Sequence, residues 1–132
     1  MTEKLQLYHC QICTNLTEVI VSGVGELVCC GKPMVLMEPQ KMDEEMLHEK
    51  HVPVFTKVDD GSVEIRVGSI PHPMENEHYI QFIEAISQDK KSVHHRYLNP
   101  GETPSMNLKN AEGKTSAREF CNIHGLWEGK SD

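Results

Sequence analysis

The feature that most constrains this chain is a set of four cysteines in its first 30 residues, arranged as Cys10-x2-Cys13 and the adjacent pair Cys29-Cys30. Two thiolates on one tight turn facing two on another form a tetrahedral metal site. A segment as short as residues 1–36 buries too little apolar surface to fold on hydrophobicity alone, and a metal held by four thiolates would stabilise it. We therefore predict a small metal-stapled domain over residues 1–36.

The cysteine pattern alone does not decide which metal is bound. Soft thiolates bind zinc and iron alike, so structural zinc and iron both stay open, with a disulfide as a weaker alternative. The spacing is close to that of a zinc ribbon, except that the second pair is adjacent. Because neighbouring Cα atoms lie only ~3.8 Å apart, two adjacent ligands should distort the tetrahedron.

Composition excludes several classes of function. The chain has 132 residues and a formal net charge of -7, which argues against a nucleic-acid partner. It contains no apolar run approaching the ~18–20 residues of a membrane span and no signal-peptide core at its N-terminus, so we expect no membrane partner and a cytoplasmic location. An anionic substrate would have to be attracted by local positive charge rather than by the whole molecule.

The remainder of the chain reads as a linker followed by many short strands. Residues 37–50 are acidic and Met-rich, and we predict a linker there with one helical turn near 43–47. Short alternating strands then recur through 51–132 without a long helix, which indicates a β-sandwich. The predicted strands, including two in the first domain, cover 17–21, 26–28, 52–58, 63–67, 78–87, 92–98, 105–109, 115–120 and 126–128.

A second candidate site lies in the larger domain. Its members sit in short, distinctive contexts: Glu49-Lys50-His51-Val52-Pro53, Pro71-His72-Pro73-Met74 with His78, and Cys121-Asn122-Ile123-His124-Gly125. The two prolines around His72 fix its backbone, and Cys-x2-His-Gly is a compact chelating turn. Each histidine taken alone is more often a surface or core residue, and we place His9, His48, His94 and His95 in that group.

These motifs together resemble desulfoferrodoxin, the two-iron class of superoxide reductases, and the resemblance covers essentially the whole chain. It implies an all-β fold, in which a small desulforedoxin-like domain at 1–36 precedes a linker at 37–50 and an immunoglobulin-like β-sandwich at 51–132. It also implies two iron ions per chain. Cys10, Cys13, Cys29 and Cys30 would hold the first, and the second would have His51, His72, His78 and His124 in its equatorial plane with Cys121 axial.

The same resemblance implies an activity, which is one-electron reduction of superoxide to hydrogen peroxide without oxygen release. The reaction would use the vacant position opposite Cys121 and serve superoxide detoxification. Lys50 would attract superoxide, and Glu49 would occupy the vacant position in the oxidised state. Backbone N–H groups of Ile123 and His124 are expected to donate to the thiolate. The family resemblance further suggests a homodimer and an electron donor such as rubredoxin.

Three other classes of protein share parts of this pattern. A simple electron carrier would explain the four thiolates but not the four histidines. A cupredoxin-like copper protein needs only two histidines with its cysteine. A zinc protein would lack the visible absorption of thiolate-bound iron. The sequence leaves undecided whether the first iron relays electrons or mainly holds its domain together, and it does not identify the physiological donor.

Overall fold

A computed structural model describes residues 1–40, 48–58, 60–109 and 115–131, and divides the chain into two compact units, Met1–Glu38 and Pro39–Asp132. The helical turn expected near 43–47 lies outside the described residues, as does Asp59 of the predicted hairpin turn. No helix among the described residues has the length and apolar character that a bilayer crossing requires.

The smaller unit is built from five very short strands. Strands β2, β1 and β5 form one antiparallel sheet in that order, and β3 pairs with β4 in a separate hairpin. Its only strongly buried apolar side chains are Leu7, Cys10 and Val19, and a core this small leaves a metal as the stabilising element. The strands are β1 (Leu7–His9), β2 (Leu16–Glu18), β3 (Val28–Cys29), β4 (Lys32–Pro33) and β5 (Val35–Leu36).

Two strand predictions in this unit were wrong in their extent. The strand expected over 17–21 is β2, which ends at Glu18 because its partner β1 has only three residues to pair with. Ile20 and Val21 are exposed instead. The strand expected over 26–28 begins only at Val28 and ends at Cys29. Strands β1, β4 and β5 were not predicted, since runs of two or three residues carry no readable alternation.

The larger unit is an antiparallel β-sandwich preceded by a single helical turn. One sheet has the strand order β10-β7-β6 and the other the order β12-β11-β8-β9. The elements are α1 (His48–His51), β6 (Pro53–Lys57), β7 (Val63–Val67), β8 (Ile80–Ser87), β9 (Val93–Tyr97), β10 (Ser105–Leu108), β11 (Thr115–Cys121) and β12 (Gly125–Lys130). Every strand predicted in this unit is present, with no end more than two residues from its predicted position, and the all-β fold class is confirmed.

The core of the sandwich lies between the two sheets, where side chains two residues apart along each strand meet. Its buried members include Ile65 and Val67 of β7, Met106 and Leu108 of β10, Ile83 and Ala85 of β8, and Ala117 and Cys121 of β11. The pairing of β11 with β8 shifts between Phe120 and Cys121, so that Cys121 pairs with Ile80. Such a bulge commonly re-aims a side chain beside a functional site.

Candidate metal centres

The four cysteines of the smaller unit converge on one point. The Cys13 and Cys29 sulfurs are 3.5 Å apart, and the Cys29 and Cys30 sulfurs are 4.0 Å apart. All four sulfurs lie within 4.8 Å of one another. A metal–sulfur bond of ~2.3 Å in a regular tetrahedron requires sulfur–sulfur separations of about 3.8 Å. The site therefore fits a tetrahedral metal ion held by four thiolates.

The hairpin between β3 and β4 explains how adjacent residues supply two ligands. Cys29 pairs with Lys32, which leaves Cys30-Gly31 as a two-residue turn. Cys30 has φ 54° and Gly31 has φ 75°, so both central residues are left-handed, as a type I′ turn requires. This turn gives Cys30 a backbone direction different from that of Cys29. The expected distortion of the tetrahedron is thus taken up by the backbone as well as by the ligands.

The first cysteine knuckle stabilises thiolate. The Cys13 N–H lies 3.4 Å from the Cys10 sulfur, and the N–H groups of Cys13 and Ile12 lower the pKa of Cys10 to about 6. The Asn15 amide adds a long contact of 3.9 Å to the Cys29 sulfur, which the sequence did not single out. Hydrogen bonds to charged sulfur favour the form that binds metal.

In the larger unit, four imidazoles form a closed ring. The ring centroids of His51 and His72 are 4.6 Å apart, those of His72 and His78 4.7 Å, those of His78 and His124 5.0 Å, and those of His124 and His51 4.9 Å. Each neighbouring pair is close to perpendicular, with interplanar angles from 67° to 79°. This arrangement presents one nitrogen from each ring to a common centre.

The fifth donor, Cys121, is fully buried beside this ring. Its sulfur lies 3.5 Å from His72 Nε2 and 3.9 Å from His124 Nδ1, and the five donor atoms are all within 4.8 Å of one another. Burial raises the pKa of Cys121, while the N–H groups of His124 and Ile123 oppose that rise. The backbone N–H of His124 lies 3.5 Å from the sulfur, which is one of the two backbone contacts predicted from the sequence.

The donor chemistry of this site fits iron. Zinc in proteins is nearly always four-coordinate and tetrahedral, whereas five converging donors, four imidazoles and one thiolate, exceed that number. His78 Nε2 is buried and has no hydrogen-bond partner among the described residues, which is costly unless a cation occupies the centre. The set brought together is the one predicted from the sequence: His51, His72, His78, Cys121 and His124.

His72 is held in the orientation that ligation needs. Its Nδ1 lies 2.6 Å from the carbonyl oxygen of Pro73, which can only accept, so Nδ1 carries the proton and Nε2 is left to face the centre. Burial lowers the pKa of His72 to about 4, with further lowering from the neighbouring histidines. The imidazole is therefore neutral at pH 7, as a metal ligand must be.

Asn122 fixes the position of His78 from the neighbouring turn. Its Oδ1 accepts the N–H of Tyr79 at 3.0 Å, and its Nδ2 donates to the carbonyl of Glu77 at 3.0 Å. These two contacts bracket His78 on either side. His78 itself closes a tight turn with Glu75, which is why the strand predicted from position 78 begins only at Ile80.

Two buried residues of the site were missed from the sequence. The Trp127 ring stacks on His51 at 5.0 Å and 19°, and its Nε1 donates to the carbonyl of His124 at 3.1 Å. Glu119 is fully buried two residues before Cys121, neither oxygen has a hydrogen-bond partner among the described residues, and burial raises its pKa well above the usual value. The available signals were a carboxyl two residues before Cys121 and a lone tryptophan near Cys-x2-His.

Glu49 and Lys50 lie in α1, immediately before the ligand His51. Lys50 is exposed and Glu49 is partly buried. The positive charge of Lys50 contributes to a lowered pKa of His78, after the larger effects of burial and of His124. The ammonium group is therefore close enough for its field to reach the imidazole ring. Glu49 is not among the five converging donors.

The stacking of Trp127 on His51 predicts a direct optical report of metal binding, because Trp127 is the only tryptophan in the chain. Anaerobic addition of ferrous iron to the metal-free protein should quench most of its fluorescence. The His72→Ala variant should require more iron for the same quenching, whereas Cys13→Ser, which damages only the four-thiolate site, should reach the same final quenching with no more iron than the unaltered protein needs. Equal titration curves for all three proteins would contradict this assignment.

Comparison with known proteins agrees with both centres. The family model "Desulfoferrodoxin, N-terminal domain" matches residues 2–37, and "Desulfoferrodoxin" matches residues 43–130. A desulfoferrodoxin homologue of Archaeoglobus fulgidus is 48% identical over 128 residues, covering 97% of this chain and 98% of that protein.

Two solved structures are also similar. The superoxide reductase of Treponema pallidum has a TM-score of 0.71 at 24% identity, covering 98% of this chain and 99% of that one, and it supports the fold alone. The superoxide reductase (1Fe-SOR) of Giardia intestinalis has a TM-score of 0.51 at 29% identity, covering 64% of this chain and 98% of that one. With two family models that together span nearly all of its length, the chain belongs to the desulfoferrodoxin family.

Proposed function

We propose that this chain is a superoxide reductase, which reduces superoxide by one electron to hydrogen peroxide without releasing oxygen. The observation that carries the proposal is the ring of four imidazoles with a single buried sulfur beside it. The overall reaction consumes one superoxide, one electron and two protons for each hydrogen peroxide formed. Two iron ions per chain are the cofactors, one on four thiolates and one on the four imidazoles and Cys121.

The donor count leaves room for a substrate. Five donors converge on the centre among the described residues, and an octahedral ion has six positions. Ferrous iron held there by the five donors would supply the electron, and Cys121 would be its one thiolate ligand. The imidazoles are neutral ligands, so the centre keeps a positive charge that attracts a small anion. Superoxide would bind on the face opposite the sulfur.

Lys50 is the residue that we assign to substrate attraction. The chain as a whole is acidic, with a net charge of -7, so an anion gains nothing from the global field. Lys50 lies immediately before the ligand His51, and its charge contributes to the lowered pKa of His78 against the larger, opposite effect of Glu75. Its ammonium can also donate a hydrogen bond to the bound oxygen species and help to deliver protons.

We assign to Glu49 the role of occupying the vacant position in the oxidised state. It lies two residues before the ligand His51 on the same helical turn. A carboxylate is a hard oxygen ligand that suits the more highly charged oxidised ion. The catalytic pair is therefore Glu49 and Lys50, beside the nine metal ligands predicted from the sequence.

The domain limits proposed from the sequence are 1–36 for the four-thiolate domain, 37–50 for the linker and 51–132 for the catalytic sandwich. The family matches at 2–37 and 43–130 support a division in this region. The first domain would either relay electrons to the catalytic iron or hold its own fold together.

We propose a cytoplasmic location, because five free thiols that serve as ligands need a reducing environment.

We further propose a homodimer, supported by apolar side chains that the small unit leaves in solvent. Ile20 is 70% exposed, Val21 83% and Val24 92%, on a unit with three strongly buried apolar residues. A second copy of the chain would cover such a surface.

Sedimentation equilibrium should give twice the chain mass, and Val21→Lys should favour the monomer. A monomeric unaltered protein at micromolar concentration would contradict the proposal.

An electron donor such as rubredoxin is proposed from the family resemblance. Stopped-flow mixing of reduced rubredoxin with the oxidised protein would test it. Oxidation of rubredoxin no faster than in the presence of metal-free protein would exclude that donor.

Replacing the sulfur tests the activity most directly. Cys121→Ser should abolish the visible sulfur-to-iron charge-transfer band of the catalytic centre, because the hydroxyl cannot supply thiolate density. The rate of superoxide consumption in pulse radiolysis should fall at least about a hundredfold. Cys13→Ser is the matched control, since it removes a thiolate from the other centre and should keep superoxide reduction with an external reductant. Retention of the band in Cys121→Ser would remove Cys121 from the axial position.

Removing the local positive charge tests the role of Lys50. Lys50→Ile should slow the bimolecular reaction with superoxide about tenfold at low ionic strength while leaving the iron content unchanged. The difference from the unaltered protein should shrink as salt is added, since salt screens the attraction. Lys57→Ile, at an exposed position at the end of β6, is the control for a change of net charge. Equal rates for both variants would show that Lys50 does not guide the substrate.

A further inference from the structure

The helical turn that carries Lys50 is hydrogen-bonded by three consecutive residues that follow β7. These are Gly68, Ser69 and Ile70, which we call the 68–70 clamp. The Gly68 N–H donates to the carbonyl of Val52 at 3.1 Å. The carbonyl of Glu49 accepts twice, from the Ile70 N–H at 3.0 Å and from the Ser69 hydroxyl at 3.3 Å. The clamp thus binds the backbone on both sides of Lys50.

Gly68 permits this approach because it has no side chain. A Cβ at this position would lie 2.6 Å from the carbonyl oxygen of Lys50 and 2.7 Å from that of Ile70. Both are backbone atoms, which cannot rotate away as a side-chain end could. Gly68 also has φ +79°, in the left-handed region that favours glycine. Any larger residue would displace the Lys50 peptide or the clamp itself.

The turn that carries Lys50 cannot hold its own position. It is four residues long, and isolated helices far longer than this are unstable in water. Lys50 reaches the centre through a flexible four-carbon chain, so the place of its ammonium depends on where its backbone is fixed. One end is fixed by the ligand His51. The 68–70 clamp adds hydrogen bonds to the backbone on both sides of Lys50.

We propose that Gly68 and Ser69 are positioning residues for Lys50, holding its backbone so that the ammonium faces the vacant side of the catalytic centre. This inference rests on the proposed function, and specifically on the role of Lys50. It differs from a structural role for the loop in one respect: disturbing the clamp should slow the reaction when Lys50 is present and add no further loss when Lys50 has been replaced. That difference can be measured as coupling between two substitutions.

The experiment is a double-mutant cycle on the iron-loaded protein, using Gly68→Ala, Lys50→Ile and both together. The second-order rate constant with superoxide should fall about tenfold in each single variant, and the double variant should be no slower than either. The dependence of the rate on ionic strength should flatten in Gly68→Ala as it does in Lys50→Ile. The control is Gly61→Ala, near the opposite end of β7. Gly61 also has a positive φ, +87°, but the space around its Cβ position is open. This variant should retain the rate of the unaltered protein.

A readout independent of turnover is the affinity of the oxidised protein for azide, followed in the visible spectrum. Both single variants should bind azide more weakly by the same factor, and their combination should add no further loss. Iron content and the charge-transfer band should be unchanged, because neither residue touches a donor atom.

Ser69 keeps the test decisive if Gly68→Ala fails to fold. Ser69→Ala removes one of the two donors to the Glu49 carbonyl without adding an atom, and it should slow the reaction about threefold. Ser69→Thr keeps the hydroxyl and should restore the rate.

The outcomes separate the two proposals. A full rate in Lys50→Ile would overturn the role of Lys50 and the clamp with it, while superoxide reduction itself would stand. A slow Lys50→Ile beside a normal Ser69→Ala, or losses that multiply in the double variant, would overturn the clamp alone. Absence of superoxide reduction in the unaltered, iron-loaded protein would overturn the proposed function.

Discussion

The larger unit depends on the convergence of five metal donors, three of them buried and two, His78 and His124, partly exposed. Imidazole rings packed edge to face at 4.6–5.0 Å would leave nitrogen atoms such as His78 Nε2 buried and unsatisfied without an ion at their centre. The sandwich supplies the geometry through features that look unrelated to metal binding. Asn122 brackets His78, Trp127 supports His51 and His124, and Cys121 lies on the core-facing side of β11 together with Ala117.

The electrostatic design is local. The chain is acidic overall, so its long-range field does not favour an anion, and we propose that the attraction comes from the metal and from Lys50. That cation lies on one short helical turn attached to His51 on one side and to the 68–70 clamp on the other. Ligation and substrate attraction therefore share a backbone, and the position of Lys50 is set by contacts far from it in the sequence.

The two sets of metal donors could be predicted from the sequence because the ligands lie in compact motifs. The sandwich could be predicted because its strands are long enough to show an alternation of apolar and polar residues. The sequence did not predict the extent of strands in the small unit, where the pairing partners are short. The predicted β2 was too long, and β1, β4 and β5 were not predicted. The sequence also missed Trp127, Glu119 and the clamp. Their roles depend on which strand or turn lies opposite, and one sequence without its tertiary pairings does not reveal that. From the adjacent Cys29 and Cys30 the sequence predicted a distorted tetrahedron, but it did not predict the Cys30-Gly31 turn between β3 and β4.

The ligands of the first centre lie close together in the sequence, whereas those of the second lie far apart. The two centres should therefore form at different stages of folding. The four thiolates come from within 21 residues, whereas the second set runs from His51 to His124 and needs β8, β11 and β12 to be paired first. Long-range contacts of this kind form late, after the loop-closure entropy has been overcome. Newly made protein should thus pass through a form in which the small domain already holds its metal while the catalytic cage is still open, and iron supply during maturation would then govern how much active enzyme a cell obtains.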